Sequence, residues 1–243
     1  PDDATDDNPD ATTVDSHVSD DRIYTPAVTL WAFLSQMLAA AAERSCRAAV
    51  ARVAVLWLGL SREISASNTG AYCRARAKLH EPAIARLSRD VAEACEHAVP
   101  ERWLWKIRHV YLVDGATISM PDTLPNQQVY PQPTSQQPGV GFPLLRIVAI
   151  FSLATGMVRD LACGPYAGKE TGETALLREL LKHFSPGDVL VGDRYYIGWF
   201  MLALLQQAQI DFVVRQHQRR ETDFRRGERL GVGDHVVEWP RPP

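Results

Sequence analysis

A chain of 243 residues can bury a core and hold two modest domains, and with 46% hydrophobic and 23% charged side chains it reads as soluble and globular. Its apolar runs are too short and too interrupted to span a bilayer, which argues against a membrane-embedded role. The formal net charge is -3, but eight of the 29 acidic side chains are Asp within residues 1–21, which hold no Lys or Arg; the remaining body, with 26 basic side chains, is mildly basic and compatible with a nucleic-acid partner without demanding one.

Residues 1–22 are polar, acidic and aperiodic, and read as a disordered leader without the apolar stretch of a signal peptide. Residues 23–104 read as an all-α N-terminal domain. Leu30, Trp31, Leu34, Met37 and Leu38 recur at three- and four-residue steps and share one helix face. Ser45 is placed to cap a second helix through Val50, Val53, Val55 and Leu58. A third, short helix runs from Tyr72 to Leu79, and Glu81-Pro82 opens a fourth. Cys46, Cys73, Cys95 and Cys163 form no CxxC pair and lie in apolar or helical contexts, as small buried residues of a reducing cytosol would.

The period changes near Lys106. Val110 to Val113 form a β-prone run ending at Asp114, and a Pro- and Gln-rich excursion over residues 115–141 follows, long enough to suggest a functional loop. Strands are then expected over residues 144–153 and 157–162, joined by the turn Thr155-Gly156. Thr171 is placed to cap a helix with the stripe Leu176, Leu177, Leu180, Leu181 and Phe184. A strand Val189-Leu190-Val191 stops at Gly192-Asp193, and a helix over 199–205 and a strand over 212–214 complete the series.

This order (three strands, then helix, strand, helix, strand) is that of an RNase H-like fold, an α/β (α+β) mixed sheet with flanking helices, here over residues 105–217. In that topology the fourth strand lies beside the first, so Asp114 and Asp193 would converge at one edge of the sheet. Carboxylates there suit phosphodiester cleavage at two metal ions, with hard oxygen donors for Mg²⁺ or Mn²⁺. An Asp after a strand also serves as a turn or cap residue, and position alone leaves both readings open.

The stretch Asp114-Gly115-Ala116-Thr117-Ile118-Ser119-Met120-Pro121-Asp122-Thr123 resembles the first-aspartate motif of DDE transposases of the bacterial insertion-sequence-four group. Residues 187–196, Gly-Asp-Val-Leu-Val-Gly-Asp-Arg-Tyr-Tyr, resemble the second-aspartate motif. Gly164-Pro165-Tyr166 with Gly168-Lys169, and the run from Arg215 to Arg220, resemble further family blocks. The resemblance covers most of the chain from about Tyr24 onward. It implies an RNase H-like catalytic domain interrupted by a β-rich insertion, here beginning over residues 218–243. It also implies cut-and-paste transposition: end cleavage frees a 3′-hydroxyl, which then attacks target DNA. Asp114 and Asp193 would be catalytic and metal-binding, with two Mg²⁺ or Mn²⁺ ions per site. The implied partners are double-stranded DNA, as terminal inverted repeats and target, and a second copy in a synaptic homodimer. The implied setting is the bacterial cytoplasm and its nucleoid.

The family's third carboxylate is a Glu in a Tyr, Arg, Glu, Lys signature. The four Lys residues (Lys78, Lys106, Lys169 and Lys182) all precede Asp193, so that signature is absent and the chain reads as truncated before it and inactive alone. Glu221, Glu228 and Glu238 are not nominated in its place.

Arg194, Tyr195, Arg215, His217, Arg219 and Arg220 are candidates for phosphate contact beside the acids, against the alternative of a solvated loop. Tyr72, Arg74 and Lys78 are candidates for a DNA-reading helix, against a solvated helix face. Glu170 and Glu173 read as helix N-terminal charges. Two other functions fit the same features: a non-catalytic DNA-binding remnant or domesticated derivative, and an RNase H-like nuclease acting on structured nucleic acid.

Overall fold

A computed structural model describes residues 23–62, 68–137, 139–196, 198–216, 222–239 and 241. The expected acidic leader, residues 1–22, lies outside the described residues. The chain divides into two compact units, Pro1–Ile84 and Ala85–Pro243. The break falls inside a helix, Glu81–His97, rather than near residue 104. The reason is local: the later turns of that helix are tied to the second unit, Arg89 pairing with Asp160 at 3.4 Å and Glu96 with His109 Nδ1 at 2.6 Å.

In the first unit α1 (Pro26–Leu38), α2 (Cys46–Gly59) and α3 (Thr69–Ala77) pack together; the helix Glu81–His97, α4, begins there and runs on into the second unit. Side-chain oxygens cap three of these helices: Thr25 accepts the Val28 N–H, Ser45 that of Ala48, and Asn68 that of Gly70. The core is Ile23, Tyr24, Ala32, Ala49, Val50, Val53, Ala71 and Tyr72. The face of α1 that turns inward differs from the expected stripe. Thr29, Ala32 and Gln36 are buried, while Trp31, Leu34, Met37 and Leu38 are exposed. Polar burial is tolerated because Gln36 is satisfied at both ends: Nε2 donates to the Arg44 carbonyl at 2.7 Å, and Oε1 accepts from the Tyr72 hydroxyl at 2.8 Å. The cysteines are not uniformly buried. Cys46, Cys73 and Cys95 are half-buried and Cys163 is exposed, on the outer side of its strand.

The second unit is built on a five-stranded sheet of β1 (Val110–Ser119), β2 (Leu144–Ser152), β3 (Val158–Pro165), β4 (Val189–Gly192) and β5 (Asp211–Val214). The spatial order is β3-β2-β1-β4-β5. The first three strands are antiparallel neighbours, and β4 and β5 add in parallel to β1. With its flanking helices this is the RNase H-like arrangement expected from the element order. Helix α6 (Glu173–Leu180) packs on β2 and β3, burying Leu176, Leu177 and Leu180. Helix α7 (Trp199–Gln207) adds Met201, Leu202 and Leu205 to the same core as Tyr111, Val148, Ile150 and Leu190.

Three local expectations change. Strand β1 does not stop at Asp114 but pairs with β2 as far as Ser119↔Leu144. Helix α5 (Leu124–Val129), capped by Thr123, then occupies part of the supposed loop. The Gln side chains there do structural work: Gln132 Oε1 accepts from Gly139 and Gly141, and Gln127 Oε1 from Gln132 N. The α6 cap is Gly172, since the Thr171 hydroxyl donates instead to the Gly168 carbonyl. Strands β6 (Glu228–Gly231) and β7 (Asp234–Val236) form a separate two-stranded sheet. Among the described residues no helix is long and apolar enough to cross a membrane.

Candidate active site

The parallel pairing of β1 with β4 ends at Val113↔Gly192. Asp114 follows Val113 within β1, and Asp193 directly follows Gly192, the last residue of β4, so each is the first residue beyond the last pair of two adjacent strands, whose backbones run about 4.8 Å apart where they pair. The pairing of β4 with β5 ends at Gly192↔Val214. Arg215 is likewise the first residue beyond that pair, directly after β5. All three residues are exposed.

Each aspartate uses one oxygen locally. Asp114 Oδ1 accepts its neighbour's N–H, from Gly115, at 2.9 Å. Asp193 Oδ1 accepts the Tyr195 N–H at 2.7 Å and so caps the 3₁₀ turn Arg194–Tyr196. The turn-cap role of Asp193 is thus real, and it coexists with a free second oxygen. Among the described residues no ion pair reaches either carboxylate.

A third carboxylate stands beside them. Glu173 opens α6, and its Oε2 accepts from the Tyr196 hydroxyl at 3.4 Å. Its carboxyl carbon lies 2.6 Å from where a Cβ on residue 115 would sit, so Gly115 is required for this approach. Tyr196 is buried, which pushes its phenol well above the ordinary value; the negative charges of Glu173, Asp114 and Asp193 push it further. Sequence reasoning assigned Glu173 only a helix-terminal role. The readable signal was a Gly directly after the first aspartate, which leaves room over the strand.

Among the described residues no group of three His, Cys, Asp or Glu is disposed to hold one metal ion jointly. The donors at hand are the two aspartates, whose second oxygens fit a hard divalent cation.

Residues 105–238 match a family model described as the transposase DDE domain. The chain belongs to the DDE-domain transposase family. Among curated proteins none matches it. A solved piggyBac transposase synaptic complex with hairpin DNA is similar at 10% identity and a TM-score of 0.42, over 82% of this chain and 42% of that one. The chain therefore spans less than half the length of that transposase.

Within the DDE domain, Arg194 and Tyr195 are exposed in the turn after Asp193, and Arg215 is exposed beyond β5. His217, Arg219 and Arg220 lie outside the described residues. On α3 the three candidates separate. Arg74 and Lys78 are exposed, but Tyr72 is fully buried with its hydroxyl on Gln36, which removes it from any DNA-facing surface. A helical face that carries Arg74 at one step carries Tyr72 about 200° away, and that side is the one packed into the core.

Proposed function

We propose that this chain is the DNA-binding and first catalytic portion of a cut-and-paste transposase of the bacterial insertion-sequence-four group. The observation that carries the reading is that Asp114 and Asp193 are each the first residue beyond the last pair, Val113↔Gly192, of adjacent parallel strands. At the ends of paired strands, they would hold Mg²⁺ or Mn²⁺ ions, two per site, together with a Glu from a later helix that is assigned to no residue of this chain. Divalent ions so held activate the attacking oxygen and stabilise the leaving one.

Arg215, Arg194 and Tyr195, with His217, Arg219 and Arg220, would position the DNA backbone around the two aspartates, since guanidinium forks match phosphate oxygens. The helical N-terminal domain would bind the element's terminal inverted repeats through Arg74 and Lys78 and support a synaptic homodimer. The setting is the bacterial cytoplasm, at the nucleoid.

The test incubates the complete protein with DNA bearing the inverted repeats that flank its own gene, in Mg²⁺. Free 3′-hydroxyl ends and strand-transfer products are expected. Asp114→Asn and Asp193→Asn should each abolish cleavage while a mobility-shift assay still shows DNA binding. Cleavage that survives either substitution overturns the reading, and so does cutting of branched or hybrid substrates without preference for the repeats.

A further inference from the structure

Outside the DDE domain, beside the core of the first unit, two sulfurs from different helices meet. Cys46 is the first residue of α2 and Cys73 lies in the middle of α3, and the Cys73 thiol donates to Cys46 Sγ at 3.8 Å. The Gln36 amide of α1, fixed by its bonds to the Arg44 carbonyl and the Tyr72 hydroxyl, donates to the same sulfur at 3.8 Å. Each of the three helices that pack together here thus contributes one group to the contact. Both cysteines are half-buried, packed against the core but not sealed from solvent. A disulfide bond of about 2.05 Å asks each sulfur to move by less than about 1 Å, which is within reach of side-chain rotation. Burial and the neighbouring Cys46 sulfur raise the Cys73 pKa, with Arg76 opposing, so Cys73 is the thiol that keeps its proton. The catalytic reading uses neither sulfur.

We propose that Cys46 and Cys73 are a dithiol–disulfide site, which a low-molecular-weight disulfide such as oxidised glutathione converts to an intramolecular bond stapling α2 to α3. The deprotonated Cys46 sulfur attacks one sulfur of the oxidant, forming a mixed disulfide and releasing a first glutathione, which takes up a proton. Cys73 then gives up its proton, and its sulfur attacks Cys46 Sγ and expels the second glutathione. Two protein thiols are oxidised, and one disulfide is reduced to two thiols. The new bond closes a loop across 27 positions of sequence, which removes freedom from the unfolded chain. It also pins α3 at the residue before Arg74, on the helix proposed to meet DNA.

The test exposes the reduced, purified full chain to glutathione buffers of increasing oxidised fraction, until the exposed Cys163 takes up glutathione. Remaining thiols are alkylated and the digest is mapped by mass spectrometry. One linked peptide pair is expected, Cys46 with Cys73, while Cys95 is alkylated. The linked chain should melt about 5 °C or more above the reduced one, and dithiothreitol should reverse the shift. Cys73→Ser removes the second sulfur, so Cys46 should retain glutathione as a stable mixed disulfide with no such rise. The parent chain alone decides the matter should that variant fail to fold. Glutathione on Cys163 with Cys46 and Cys73 unlinked refutes the site, and so does a link from either to Cys95, Cys163 or a second chain. A Cys46–Cys73 bond that lowers the melting temperature, or leaves it unchanged, refutes the staple.

Discussion

Asp114 and Asp193 are each the first residue beyond the Val113↔Gly192 pair, so one rung of a parallel ladder sets their spacing. Hydrogen-bonded strands on both sides of β4 fix that spacing more firmly than loops could. The consequence is sensitivity to reach as well as charge. Asp114→Glu and Asp193→Glu keep a carboxylate but extend it by one methylene. Each is expected to lower Mg²⁺-dependent end cleavage by about 100-fold, the scale of an ångström misplacement in a preorganised site. Single-turnover cleavage assays on the complete protein check this, and near-parental rates for either Glu variant would contradict it.

Arg215 directly follows β5, beyond the Gly192↔Val214 pair, and is exposed. A phosphate contact there is sequence-independent and driven by counterion release. Arg215→Ala should weaken binding by similar factors on specific and nonspecific DNA, and reduce the slope of log affinity against log salt by about one. Fluorescence anisotropy across a salt series measures both. An unchanged slope would return Arg215 to the solvated-loop reading.

The sheet order was legible where strands carry apolar runs and helices a leucine stripe: Val189 to Val191 and Leu176, Leu177 and Leu180 are clear cases. The two aspartates were legible because they end such runs. The second half of β1 was not, since Gly115 to Ser119 is mostly exposed and lacks the periodic burial that marks a strand. Its pairing is dictated by β2, a partner some 30 residues away in sequence. Glu173 was hidden for a related reason: its neighbours Gly115 and Tyr196 come from two other elements, and no local pattern links them. On α1 the strong apolar periodicity pointed the wrong way, because the small side chain of Ala32 and the satisfied Gln36 win the close helix contact over Trp31 and Leu34.

Tyr72 and its helix neighbours should separate cleanly by experiment. Tyr72→Phe removes the hydroxyl that bonds Gln36 Oε1, leaving that oxygen only the longer 3.5 Å approach of Arg76. A cost of about 1 kcal/mol in unfolding free energy is expected, with DNA affinity unchanged. Arg74→Ala and Lys78→Ala, both at exposed positions, should weaken binding to the terminal repeats with little effect on stability. Urea denaturation and mobility shifts on the same three variants decide the matter. Loss of DNA binding in Tyr72→Phe at full stability would reverse the assignment.

The last prediction concerns acid. His183 ends the 3₁₀ turn Leu181–His183 after α6, with Nε2 2.7 Å from Asp160. Burial lowers its pKa; Asp160 works against that, while the cations Lys182, Arg89 and Arg159 reinforce it. A base whose folded pKa is depressed binds its proton less well in the folded chain than in the unfolded one. The stability it contributes is therefore complete above the unfolded value of about 6.5 and is lost as pH falls from there through the lowered folded value. Asp188, whose pKa burial raises, acts in the opposite sense but is common to parent and variant. Melting temperatures of the parent and His183→Gln at pH 7.5 and 5.5 isolate the histidine. The parent should lose more stability over that interval than the variant, and equal losses would show that His183 binds its proton as readily folded as unfolded.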